Sequence, residues 1–242
     1  MTKLLLPIFT LILMGCEIIN SKNFSPADQV KASEVLIIAE TYRSHKWDAN
    51  TANRFHGHDS NGVLVHTPDI TLPYSIAKRS GWWMVDKTNI GIPYKWGGFD
   101  TPFSFDQRIA NGAYAGDVYT DNKRAQLYNG VSKEAAGVDC SGFVSRCWRL
   151  SRHYSTRELP TLCTQLSSFY TLQPGDILNI YNVHAMIFEQ YTDQTKSHVI
   201  VYDTGSAPVW KIQRKRIPTA LLQDWGFLPY RYKNLKQDLV HN

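Results

Sequence analysis

Apolar positions change their spacing twice along the chain, and the changes divide it. Leu4 to Met14 is an almost continuous apolar run, broken only by Pro7 and Thr10 and preceded by Lys3. A run this short does not span a bilayer stably but suits the core of a signal peptide over residues 1–15. A polar tether follows from Ile18 to Phe24. Ser25-Pro26 then reads as an N-cap followed by proline at the first helical position. Val30, Val35, Leu36 and Ile37 lie close to helical spacing, which predicts a helix to about Arg43. Residues 44–72, rich in Asn, His, Asp, Gly and Thr, read as irregular connection. A second helix is expected over roughly Tyr74 to Asp86, so residues 16–80 form a tether and a mostly helical segment.

The pattern sharpens beyond Lys133. Cys140, Phe143, Val144, Cys147 and Trp148 recur at helical spacing and predict a helix over 140–150 with Cys140 at its N-terminus. Pro174-Gly175-Asp176 is a turn, and Asp176 reads as a turn residue. Short strands are expected at Ile177–Tyr181, His184–Phe188, Val199–Asp203, Val209–Ile212 and Leu228–Tyr232, with turns at Asp193-Gln194 and Thr204-Gly205. Helices followed by a meander of strands indicate an α+β fold, with the helices packed on an antiparallel sheet.

Composition sets the class. With 43% hydrophobic and 19% charged residues in 242, the chain is globular and long enough for one full core. A net charge of +5 favours anionic partners. The basic stretch Lys211–Arg216 reads as an exposed strand, and nucleic-acid binding is not expected. Leu13-Met14-Gly15-Cys16 resembles the lipobox of bacterial lipoproteins; the bland reading is an ordinary signal peptide that ends near a cysteine. The resemblance implies lipid on Cys16, export and a membrane anchor, with Glu17 pointing to the outer membrane, facing the periplasm. Cys147 and Cys163 can then pair in an oxidising compartment or remain separate buried thiols, and the spacing does not choose.

The chemistry converges on Cys140. A thiol attacks an amide only as thiolate, so it needs a stabilising field and a base beside it. A helix N-terminus favours the anion, and Gly142 leaves room for a substrate carbonyl near the surrounding amides. His184 opens a strand whose inward positions include Met186 and Phe188, so its ring points into a packed site. The ring requires a polar orienting group. Asp203, at the end of a later strand, is the first candidate and His198 the weaker one; the bland reading of Asp203 is a cap on the Thr204-Gly205 turn. His45, His56, His58, Asp59 and His66 fit no standard ligand spacing and read as a solvated connection, so no metal and no cofactor is expected. Trp82, Trp83 and Trp148 read as core, and Trp96 as a neighbour of the cleft.

The segment Gly137-Val138-Asp139-Cys140-Ser141-Gly142-Phe143-Val144 resembles the NlpC/P60 family of cell-wall cysteine peptidases. Pro174-Gly175-Asp176-Ile177, His184-Ala185-Met186-Ile187 and the upstream Pro93-Tyr94-Lys95-Trp96-Gly97-Gly98 extend the resemblance over about residues 81–232. It implies a papain-like core and hydrolysis of the γ-D-glutamyl–diamino acid bond in peptidoglycan stem peptides. Cys140 is then the nucleophile, His184 the general base and acid, and Asp203 the orienting residue. Tyr94, Trp96, Asp139 and Ser141 line the substrate cleft. Residues 99–138 are longer than the family's usual link and imply an added cleft-side element, in which Gly116–Tyr119, Phe103 and Phe105 narrow substrate choice. Residues 233–242 read as a tail, and a monomer is expected. Two other functions fit the same residues: an amidase or acyltransferase acting on another amide, and a non-catalytic wall-binding lipoprotein.

Overall fold

A computed structural model of the chain describes residues 24–205 and 209–238. The expected signal peptide, Cys16 and nearly all of the tether lie outside the described residues. Among the described residues no helix is long and apolar enough to cross a membrane.

The fold is α+β and is organised by one six-stranded sheet. Its strands are β1 (Cys163–Gln165), β2 (Ile177–Ile180), β3 (His184–Tyr191), β4 (His198–Gly205), β5 (Lys211–Pro218) and β6 (Leu228–Tyr232). They lie in the order β5-β4-β3-β2-β6-β1, and every neighbouring pair is antiparallel. The helices are α1 (Ala32–Ser44), α2 (Tyr74–Ala77), α3 (Pro102–Ala110), α4 (Asp121–Gln126), α5 (Cys140–Cys147) and α6 (Thr219–Asp224).

Alternation along the strands supplies two apolar faces. Ile177, Ala185, Ile187 and Tyr202 join Val35, Ile38 and Tyr42 of α1 and Phe143, Val144 and Cys147 of α5 in the main core. Leu178, Met186, Phe188, Val199 and Val201 turn the other way and are covered by Leu222 of α6 and by Phe227. Cys147 and Cys163 are separate buried thiols, not a disulfide.

Several sequence expectations change here. The first helix starts at Ala32 rather than after Ser25. Val30–Lys31 is extended and pairs in parallel with Leu235–Lys236, so tertiary hydrogen bonds take the backbone that the local capping signal offered to a helix. The same pairing ties down residues expected to be a tail. The second helix is only Tyr74–Ala77, ended by Lys78 in the left-handed region at φ 53°. Beyond it Gly81 lies so close to the backbone of Asp69 that its Cβ would fall 1.7 Å from the Asp69 carbonyl oxygen. Trp83 continues from that contact into the core, away from a helical path.

The stretch expected to be irregular holds small ladders. Lys46–Asp48 pairs with Thr88–Ile90, and His56–His58 pairs with Leu64–His66. His66 is buried rather than solvated, and burial first, then the neighbouring His56, lowers its pKa to about 4. Thr204 and Gly205 belong to β4 instead of forming a turn, and the basic strand begins at Lys211. Trp83 and Trp148 are fully buried.

Residues 99–138 fold onto this frame. Thr101 caps α3 by accepting from the Ser104 N–H at 3.0 Å. Tyr114–Ala115 pairs in parallel with Ala135–Ala136 and closes the segment into a loop that carries α4.

Candidate active site

Cys140 is the first residue of α5, where helical N–H groups lack intrahelical partners and the dipole favours negative charge. Asp139 is the N-cap, in an extended conformation, and its Oδ1 accepts from the Gly142 N–H at 2.6 Å. Its Oδ2 accepts from the Gly97 N–H at 3.1 Å, which fastens the Trp96-Gly97-Gly98 segment to the helix start.

That segment explains Gly142 differently from the sequence expectation. A Cβ on Gly142 would fall 1.9 Å from the Gly98 carbonyl oxygen, and one on Gly98 would fall 2.5 Å from that of Gly137. The missing side chain admits the protein's own backbone, not a substrate carbonyl. Gly142→Ala is therefore expected to destabilise the fold by about 3 kcal/mol or more, since two backbone segments must separate to relieve the clash. Thermal or urea denaturation reads this directly, and an unchanged midpoint would contradict the close approach.

His184 opens β3 at the end of the sheet nearest Cys140. Ile187 pairs with Tyr202, so by alternation Asp203 falls on the face that carries His184 and Met186. His184 Nε2 lies 2.6 Å from Asp203 Oδ1, leaving Nδ1 for the sulfur. Lys215 on β5 pairs with the second oxygen of Asp203. Asp203 is thus a strand residue shared between an imidazole and an ammonium, and no turn cap. Burial would raise its pKa, but the charges and hydrogen bonds of His184 and Lys215 prevail and lower it to about 2. Burial likewise opposes charge on His184. The Asp203 charge, then the Cys140 sulfur, with hydrogen bonds to both, outweigh it and raise the imidazole to about 10. His198 lies at the far end of β4, with Nδ1 beside Ser197 and Arg216, and does not reach His184.

A second histidine stands beside Cys140 that the sequence analysis did not single out. His153 Nε2 lies 3.1 Å from Asp139 Oδ1 and 3.0 Å from Ser141 Oγ. Burial opposes ionisation of both Asp139 and His153, yet their mutual attraction lowers the aspartate and raises the histidine. The residues that flank Cys140 in the chain are therefore locked together through a loop residue. Only an Asp and a Ser two positions apart hinted at it. Lys215 was equally hidden, because its role depends on strand register.

Tyr94, Trp96, Asp139, Cys140, Ser141, His184 and Asp203 all border one cavity of about 950 Å³. Tyr94 is buried against Trp210, with ring centroids 5.3 Å apart. Burial raises its pKa, and the nearby Cys140 adds to the shift. Trp96 meets Tyr119 edge-on at 5.5 Å.

Other expected residues lie elsewhere. Phe105 is in the main core, edge-on to Trp47 at 5.1 Å, and Phe103 is exposed away from the cavity. Asp117 is buried in an ion pair with Lys123 at 2.6 Å, while Tyr119 alone of Gly116–Tyr119 lines the cavity. Asp176 is held by Arg231 at 2.8 Å. His56 pairs with Asp69 at 3.0 Å, and among the described residues no group of three or more His, Cys, Asp or Glu is arranged to hold a metal ion.

The arrangement can perform nucleophilic chemistry on an acyl group: a thiol at a helix start, an imidazole beside it and a carboxylate behind the imidazole. No protein-family model, curated protein or solved structure matches the chain significantly.

Proposed function

We propose that this chain is a cysteine peptidase of the NlpC/P60 type with a papain-like core, exported and anchored through lipid on Cys16. Its substrate in this reading is a peptidoglycan stem peptide, cut at the γ-D-glutamyl–diamino acid bond. The observation that carries the proposal is the Cys140–His184–Asp203 chain of contacts at the N-terminus of α5. The ordered sequence segments supply the family.

The raised imidazole favours a resting thiolate–imidazolium pair. The Cys140 sulfur attacks the scissile carbonyl carbon, and N–H groups at the start of α5 receive the developing oxyanion. The C–N bond then breaks and the amine leaves with the proton from His184. Once the sulfur has bonded to the carbonyl carbon its negative charge is gone, so the imidazole holds its proton less tightly at the moment it must give it to the amine. Water next attacks the thioester while His184 accepts its proton, and the C–S bond breaks, releasing the acid and restoring the thiolate–imidazolium pair.

Incubation with defined stem peptides, followed by mass spectrometry of new amines, tests the reading. A free diamino-acid amine and a new γ-D-glutamyl carboxylate are expected; intact peptides would refute the assignment of this bond. An amidase or acyltransferase with the same Cys–His site is the second reading. It is favoured by Tyr119, Arg124, Leu127, Tyr128 and Val131, through which the 99–138 segment forms one side of the cavity wall.

A further inference from the structure

The cavity has an apolar wall that the cysteine chemistry does not use. Leu127 and Tyr128 form the start of a 3-10 turn (Leu127–Gly130) that follows α4, and both line the cavity. They are 41% and 69% exposed and belong to no hydrophobic cluster of the core. On the side of His184, Val183 and Trp225 line the same cavity and are also half-exposed. Large apolar side chains left open along one concave surface mark a binding site rather than ordinary surface.

Leu127 is also strained, with φ 51° and ψ −120°, a conformation natural to glycine and costly for a leucine. No core packing compensates it. The residue is nevertheless held in place, because the Trp96 indole N–H donates to the Leu127 carbonyl at 3.3 Å. Trp96 in turn adjoins Gly97, whose N–H is bonded to Asp139 beside Cys140. The apolar wall is therefore continuous with the nucleophile's own support.

Apart from two carboxylates that already have partners, the charged lining is cationic. Arg79, Arg124 and Arg157 border the cavity and make no ion pair among the described residues. The carboxylates lining it are Asp139 and Asp203, and both already have partners within the protein, His153 for the first and His184 with Lys215 for the second. An occupant that satisfies this lining carries acidic groups and an apolar group together.

We propose that Leu127 and Tyr128, backed by Trp96, form a subsite for an apolar acyl group, so that the preferred substrate is an acylated acidic peptide rather than a bare one. The inference rests on the reading of Cys140 as the nucleophile given above. The cavity of about 950 Å³ accommodates a medium acyl chain in addition to a short peptide.

The test uses the full chain carrying Cys16→Ser, which removes the expected lipid attachment, and Cys140→Ala, which prevents turnover. Isothermal titration compares N-decanoyl and N-acetyl forms of one γ-D-glutamyl–diamino acid peptide. The decanoyl peptide is expected to bind about tenfold tighter or more, from the added apolar burial. Leu127→Gly and Tyr128→Ser are each expected to shrink that ratio while leaving the affinity for the acetyl peptide within about twofold. Leu127→Gly should also raise the melting temperature by removing the backbone strain, an effect opposite to that of losing a structural side chain.

Equal affinity for the two peptides, no binding of either, or a ratio that survives both substitutions together would overturn the proposal. Cleavage by the protein with Cys140 intact separates the two readings. An acyl preference without cleavage leaves the subsite standing and removes the peptidase assignment. Cleavage without a preference removes the subsite alone.

Discussion

Replacing Cys140 by alanine is expected to lower amide turnover by about 10⁴-fold or more, because it removes the thiol that forms the covalent intermediate beside His184. The fold should persist. Cys140 is 8% exposed and the change removes one sulfur atom, so the stability cost is about 1 kcal/mol or less. Labelling by a thiol-directed electrophile near neutral pH should be lost at the same time. Cys147 and Cys163 cannot replace it as targets. Burial pushes the Cys147 thiol well up and the Cys163 thiol to about 12, so both remain protonated. Peptide mapping after labelling reads which thiol reacts. Full turnover in Cys140→Ala would sink the mechanism, and an unreactive Cys140 would favour a non-catalytic, wall-binding role.

Asp203→Asn is expected to reduce kcat/KM by about 10²- to 10⁴-fold and to change its pH dependence. With Asp203 present the His184 pKa is raised to about 10, so the alkaline limb of activity is expected well above that of an ordinary histidine. Asparagine removes the charge, and the limb should move down toward about pH 6.5. An alkaline limb that stays where it was would show that Asp203 does not set the imidazole's charge.

The same pair has a stability signature. Asp203 is lowered in the folded state, so its contribution is present above the ordinary aspartate value and is lost as pH falls toward about 2. His184 is raised, so its contribution is full below the ordinary histidine value and is lost as pH rises through about 10. Both describe one interaction and are not added; its size is on the order of 2 kcal/mol. Melting curves of the wild type should be most favourable relative to Asp203→Asn between about pH 4 and 6.5 and should converge at both extremes. Lys215 adds to the contrast, because in the variant it loses the carboxylate that it shares with His184.

The separate elements were largely legible in the chain. Phe143, Val144 and Cys147 share one helical face, and the alternation along β3 and β4 sorts their residues into two buried faces; both patterns are local and survive folding unchanged. Cys140 at a helix start and His184 at a strand start were readable for the same reason. Asp203 was a candidate from its place near the end of a strand. The failures came where distant backbone competes with local signals: Ser25-Pro26 reads as a helix start until the C-terminal Leu235 occupies Val30. Likewise Tyr74 to Asp86 reads as helical until Gly81 meets Asp69.

What the sequence alone determined about this protein is the α+β class, the position of Cys140 at a helix N-terminus and the pairing of a thiol with a histidine. Those follow from short-range periodicity. Only the tertiary structure decided that Asp203 orients His184 with Lys215 behind it, that His153 locks Asp139 and Ser141, and that Gly142 makes room for Gly98. It also decided that Tyr119, Arg124, Leu127, Tyr128 and Val131 border the cavity. Each of these depends on strand register or on two chain segments meeting across long separations, and neither is encoded in the spacing of residues along one segment.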